Sequence, residues 1–155
     1  MKKLVVMALT LFSASVLAVT ENVIETTTIQ PKATIFVLDT SSQPAKVMKG
    51  TQFSRSKARN LCVAVSDVPV QDKNQFVEYF VSPAPINIIA KDSDIKVDDD
   101  KKGFLAITLI NESEIKNNVV TRCWQFEQND PVGKYKLDVQ FNDIVFKGLS
   151  FEVLK

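Results

Sequence analysis

Catalysis by a small domain needs side chains that move protons, attack carbon or hold a metal, and this sequence offers few of them. It contains no histidine. That excludes Ser-His-Asp and Cys-His catalysis. It also excludes histidine zinc sites and the usual general base near neutral pH. The two cysteines, Cys62 and Cys123, are too far apart in sequence to form a CxxC redox pair. Neither a GxGxxG motif nor a Walker-type phosphate loop is present. Paired carboxylates could hydrolyse a glycoside, but nothing in the spacing sets two acids across a cleft. The expectation is a protein that is not an enzyme and carries no cofactor.

Two charged stretches remain. Asp92, Asp94, Asp98, Asp99 and Asp100 fall close together, and clustered hard oxygens suit calcium. The EF-hand spacing fails, because Lys96 stands at the fifth position and no glycine follows it. Lys91, Lys96, Lys101 and Lys102 offset the charge, so a solvated loop is the expectation and calcium the weaker alternative. The opposite stretch holds Lys46, Lys49, Arg55, Lys57 and Arg59, with no acid between Thr40 and Ser66. With Phe53 among them, these residues are the candidate surface for an anionic or acidic partner. The competing reading is a polar connecting loop, with Phe53 anchoring it to the core. Aromatics are not interleaved further, which argues against nucleic acid. Trp124, the only tryptophan, is read as core beside Phe126.

The elements that position these residues begin after residue 18. Lys2 and Lys3, the apolar run Leu4–Leu11 and the small-residue end Val16-Leu17-Ala18 have the order of a cleaved secretory signal. Cleavage is expected before Val19, leaving a periplasmic or secreted bacterial protein that is not embedded in a membrane. Loss of the two lysines takes the formal charge from +1 to −1, which gives no general pull on polyanions. In an oxidising compartment, Cys62 and Cys123 are expected to form one disulfide closing a loop of about 60 residues.

Residues 19–32 read as an extended arm, with a short edge strand at Ile24–Ile29. Residues 33–155 read as a single domain. Strand signals recur at Ala33–Leu38, Leu61–Val65, Phe76–Val81, Ile86–Ala90, Phe104–Ile110, Val119–Phe126, Lys134–Phe141 and Ile144–Val153. Turn residues separate them, notably Asn117-Asn118, Asn129-Asp130-Pro131 and Asn142-Asp143. No helical period lies between strands, so an antiparallel sandwich of about seven to eight strands is expected. Tyr135, Leu137, Val139 and Phe141 share one parity, which marks a half-buried strand. In the next strand the apolar parity flips between Phe146 and Leu149. A bulge near Lys147-Gly148 would restore register.

Parity also places the cysteines. Leu61, Val63 and Val65 point one way and Cys62 the other. Val120, Trp124 and Phe126 point one way, with Arg122 discordant among them, and Cys123 the other. Both cysteines are therefore expected on the outer side of one sheet, joining neighbouring strands.

The stretch Asp130-Pro131-Val132-Gly133-Lys134-Tyr135-Lys136-Leu137-Asp138-Val139, followed by Leu149–Val153, resembles the closing hairpin of bacterial immunoglobulin-like domains. The resemblance covers only the C-terminal end and implies a fold, not a function. Two features depart from the immunoglobulin pattern. Trp124 follows the second cysteine instead of lying between the two, and Thr121 stands where a tyrosine is usual.

The functional expectation is an exported, non-catalytic binding or structural module of a bacterial envelope, acting through contacts with another envelope or secreted protein. Two alternatives stand beside it. One is an exported inhibitor or immunity protein that blocks an enzyme with loop 41–60 or 91–103. The other is a surface appendage subunit joined by strand exchange.

Overall fold

The computed structural model describes residues 30–155. The signal sequence expected at residues 1–18 and the strand expected at Ile24–Ile29 lie outside the described residues. The described chain is built from ten strands: β1 (Lys32–Asp39), β2 (Lys46–Val47), β3 (Gln52–Ser54), β4 (Arg59–Ser66), β5 (Asn74–Val81), β6 (Asp94–Val97), β7 (Gly103–Ile110), β8 (Val119–Gln125), β9 (Gly133–Phe141) and β10 (Ile144–Leu154). One 3₁₀ turn, Glu112–Glu114, is the only helical element among the described residues. None of those residues forms a helix long and apolar enough to cross a membrane.

The strands form two sheets, ordered β2-β1-β4-β8 and β3-β10-β9-β5-β7-β6. All pairings are antiparallel except β3 with β10, which run parallel. The expected all-β sandwich is therefore present, with one parallel edge pair. Its core follows strand parity. Leu61, Val63, Val65 and Val120 from the smaller sheet meet Phe76, Phe80, Phe104, Leu137 and Phe151 from the larger. The aromatic rings interlock: Phe80 stacks on Phe104 at 4.6 Å and meets Trp124 edge-on at 5.3 Å.

Local chemistry explains the closing hairpin. Asn142 adopts a left-handed φ of 50° and makes the two-residue turn between Phe141 and Ile144. The ladder shifts between Phe146 and Leu149, where Gly148 has φ 79°; this is the bulge that the parity flip required. The Asp130–Tyr135 stretch is tied to itself. Asp130 accepts from the Glu127 N–H at 2.6 Å, and the Tyr135 hydroxyl donates to the Pro131 carbonyl at 2.7 Å. Gly133 has φ 132°, and a Cβ there would come within 3.2 Å of Pro83.

Four elements differ from expectation. Ile86–Ala90 is not a strand. The edge of β7 is taken instead by β6, inside the acidic stretch that reads as a loop. Pro83 and Pro85 each lack a backbone donor for a ladder. Ile86 is buried and its N–H donates to the Lys101 carbonyl, whereas Ile89 is almost fully exposed. The basic stretch contains β2 and β3, too short to show a two-residue period in sequence.

Candidate functional site

The Cys62–Cys123 bond is present, with Cα atoms 4.0 Å apart, and the two residues are direct partners in the β4–β8 ladder. It joins neighbouring strands of one sheet. Leu61, Val63 and Val65 enter the core cluster and Cys62 does not, so the bond lies on the outer side, as parity requires. Cys62 is nevertheless fully buried, while Cys123 is exposed. In the register, Cys62 has Phe36 on one flank and Cys123 on the other.

Among the described residues, β8 is the last strand of its sheet. Asn117 and Asn118, both with left-handed φ, fold the chain back so that Lys116 and Val119 exchange two backbone bonds of 3.0 and 2.9 Å. Val119 thus spends its N–H and C=O on the side away from β4. Backbone direction alternates along an antiparallel strand, so Thr121, Cys123 and Gln125 turn theirs the same way. All three residues are exposed, and no described strand pairs with them on that side. A recess runs beside this edge. Ile89, Ala90 and Asp92 form one wall, and Arg122, Trp124 and Gln125 the other. Past Trp124 it extends towards Asn87 and Asp130, and a separate hollow at Lys116 and Thr121 flanks the start of the strand.

Beneath the edge lies a polar cluster. Glu78, in the middle of β5, shares its parity with Phe76 and Phe80 and is fully buried. The Trp124 indole N–H donates to Glu78 Oε1 at 2.8 Å. Glu78 Oε2 has no partner among the described residues. Burial pushes the Glu78 carboxyl up to about 7, against the opposing pull of the Trp124 hydrogen bond and the Arg122 charge. Arg122 is held elsewhere. Its Nη1 donates to Asp92 at 2.7 Å and its Nη2 to the Ser93 hydroxyl at 3.3 Å. Ser93 in turn bonds the Thr108 hydroxyl at 2.7 Å. The Arg122 Nε is buried and without a partner among the described residues. The Arg122 hydrogen bond holds the Asp92 carboxyl below the usual range.

Strand parity in the sequence singles out Arg122 as discordant, whereas Glu78 is absent from the sequence-based candidates. Its signal is present: an acid at the inward parity of Phe76-Val77-Glu78-Tyr79-Phe80, matched by one base on a core-facing strand. Taken together, the arrangement can hold and release a proton near neutrality beneath an open strand edge.

The other candidates are dispersed. Phe53 lies in the core, as the anchoring reading expects. It is buried, packing edge-on against Phe126 at 5.4 Å and face-on against Phe151 at 6.3 Å. Arg55 donates to the Asp130 carbonyl, and Arg59 lies 3.8 Å from Asp39. Hydrogen bonds from Ser41, with the charges of Arg59 and Lys46, keep the Asp39 carboxyl low. Lys46, Lys49 and Lys57 remain exposed. The acids do not converge on a metal: among the described residues no group of three acids is placed to hold one. Asp92 pairs with Arg122, and Asp94 takes a ladder position in β6 opposite Ile107. Asp98 and Asp100 cap the β6–β7 turn, Asp98 accepting from the Tyr79 hydroxyl at 2.8 Å and Asp100 from the Lys102 N–H at 2.9 Å. Asp99 sits in that turn.

Fold and site together define a β-sandwich domain with a disulfide-stapled, open edge strand. The model of the PM0630 beta sandwich domain family matches residues 33–154, and the chain belongs to that family. A relative from Pasteurella multocida (strain Pm70), described as uncharacterized protein PM0630, is 40% identical over 159 residues and covers all of both chains.

Proposed function

We propose that the chain is an exported, non-catalytic binding module of a bacterial envelope. It holds an extended segment of another envelope or secreted protein along the free edge of β8. The observation that carries this reading is the edge itself: three exposed residues, Thr121, Cys123 and Gln125, offer backbone groups that no described strand pairs with, beside a recess. An added strand gains main-chain hydrogen bonds from such an edge and specificity from the adjoining wall. Proteins usually blunt an exposed edge with charge, proline or a covering loop. In β8 the one charge, Arg122, is turned under the strand and neutralised by Asp92. The disulfide holds the edge strand to β4, so little order has to be created on binding.

Capture from envelope extract tests the reading. Thr121→Pro removes an edge N–H that β4 does not use, so the sheet should survive it. The expected result is at least about tenfold weaker capture, equivalent to about 1.4 kcal/mol, with an unchanged circular dichroism spectrum. Equal capture of the same partner by both proteins would overturn the assignment to β8.

A further inference from the structure

The buried cluster beneath β8 has features that the edge alone does not explain. Among the described residues, the fully buried Glu78 has one oxygen without a partner, and Arg122, whose charge acts on Glu78, has a buried Nε without a partner. The same arginine grips Asp92, which lines the recess, and Ser93, which follows it. We infer that Glu78, Trp124, Arg122 and Asp92 form a proton-operated latch on the β8 edge. With Glu78 neutral, the guanidinium belongs to Asp92 and Ser93, and the wall is pinned. With Glu78 ionised, the guanidinium is drawn inward, its grip weakens, and residues 87–93 loosen from the edge.

The electrostatic surroundings are simple. In its own sheet Glu78 stands between Ala106 and Val139, which carry no charge. The opposing sheet contributes Arg122, and the segment before β6 contributes Asp92. Glu114 acts on Arg122 from the turn before β8. No histidine exists to supply a competing transition near neutrality. The consequence for partner binding rests on the β8 reading, since a latch matters there only if the edge is used.

Trp124, as the only tryptophan, reports directly on Glu78. The experiment follows the indole N–H resonance of the purified chain from pH 5 to pH 9. Amide exchange of residues 87–93 is measured alongside, corrected for its intrinsic pH dependence. A single transition near pH 7 is expected in both readouts, with residues 87–93 exchanging several-fold faster on its alkaline side. Glu78→Gln should abolish the transition. Arg122→Gln should keep the indole transition, move its midpoint upward and remove the accompanying change in residues 87–93. It therefore serves as an independent variant should Glu78→Gln fail to fold. The latch is refuted by a flat indole titration, by a transition that survives Glu78→Gln, or by an indole transition with no change in residues 87–93. Failure of Thr121→Pro to weaken capture would instead remove the edge reading and leave the indole titration intact.

Discussion

Glu78 sets the pH dependence of stability. Its carboxyl is raised from 4.5 to about 7 by burial, so the fold prefers its neutral form. Between those values the unfolded chain has released the proton and the folded chain retains it. Stability therefore falls as pH rises from about 4.5 to about 7 and then levels off, a total loss of about 3 kcal/mol. Asp39 and Asp92 act in the opposite sense, but both are held below the usual range, so their contribution is lost only under more acidic conditions. Glu78→Gln keeps an acceptor for Trp124 and carries no charge. Denaturant unfolding at pH 5, 6, 7 and 8 should show the wild-type midpoint falling with pH and the variant's nearly constant. Parallel curves would show that burial does not govern this group. Phe53 reads in sequence as a binding candidate because its direction is not legible there. A single aromatic in a polar stretch has no period, and only its contacts with Phe126 and Phe151 show which way it points.

At the scale of elements, the disulfide links β4 to β8 across a sequence separation of 61 residues. Chain-entropy reasoning gives such a closure about 4 kcal/mol, by restricting the unfolded state. The core lies on the other face of the sheet, so reduction should not dismantle it. Calorimetry of oxidised and reduced protein should show a melting temperature lower by on the order of 10 °C, with a cooperative transition retained. Loss of the transition on reduction would mean that β8 cannot hold its place unaided. The bond and its face are legible in the sequence, because two parities and two cysteines suffice to choose the outer side. The strand at Asp94–Val97 is not legible there. Asp94-Ile95-Lys96-Val97 alternates polar and apolar residues, but four residues inside an acidic run are too few to stand out, and β6 pairs along the edge that β7 presents.

Among the described residues, the sandwich leaves one sheet an open edge at β8 and sets a buried acid, Glu78, in the other. Export rests on residues 1–18 alone, and the prediction is a mature N-terminus at Val19. N-terminal sequencing of protein recovered from periplasm or medium checks it; an intact Met1 in soluble cytosolic protein would remove both the compartment and its oxidising chemistry. Local sequence is enough for the β class, most strands, the bulge at Gly148 and the cysteine pairing. Each rests on short-range information: alternation along one strand, a turn residue with left-handed φ, or a parity shared by neighbours. That β8 ends its sheet, that Glu78 faces Trp124, and that Asp92 belongs to Arg122 instead of to a metal emerge only in the folded chain. The two side-chain pairings join residues 30 and 46 positions apart. They follow from which sheet each strand joins, and strand alternation is the same whichever neighbour a strand receives.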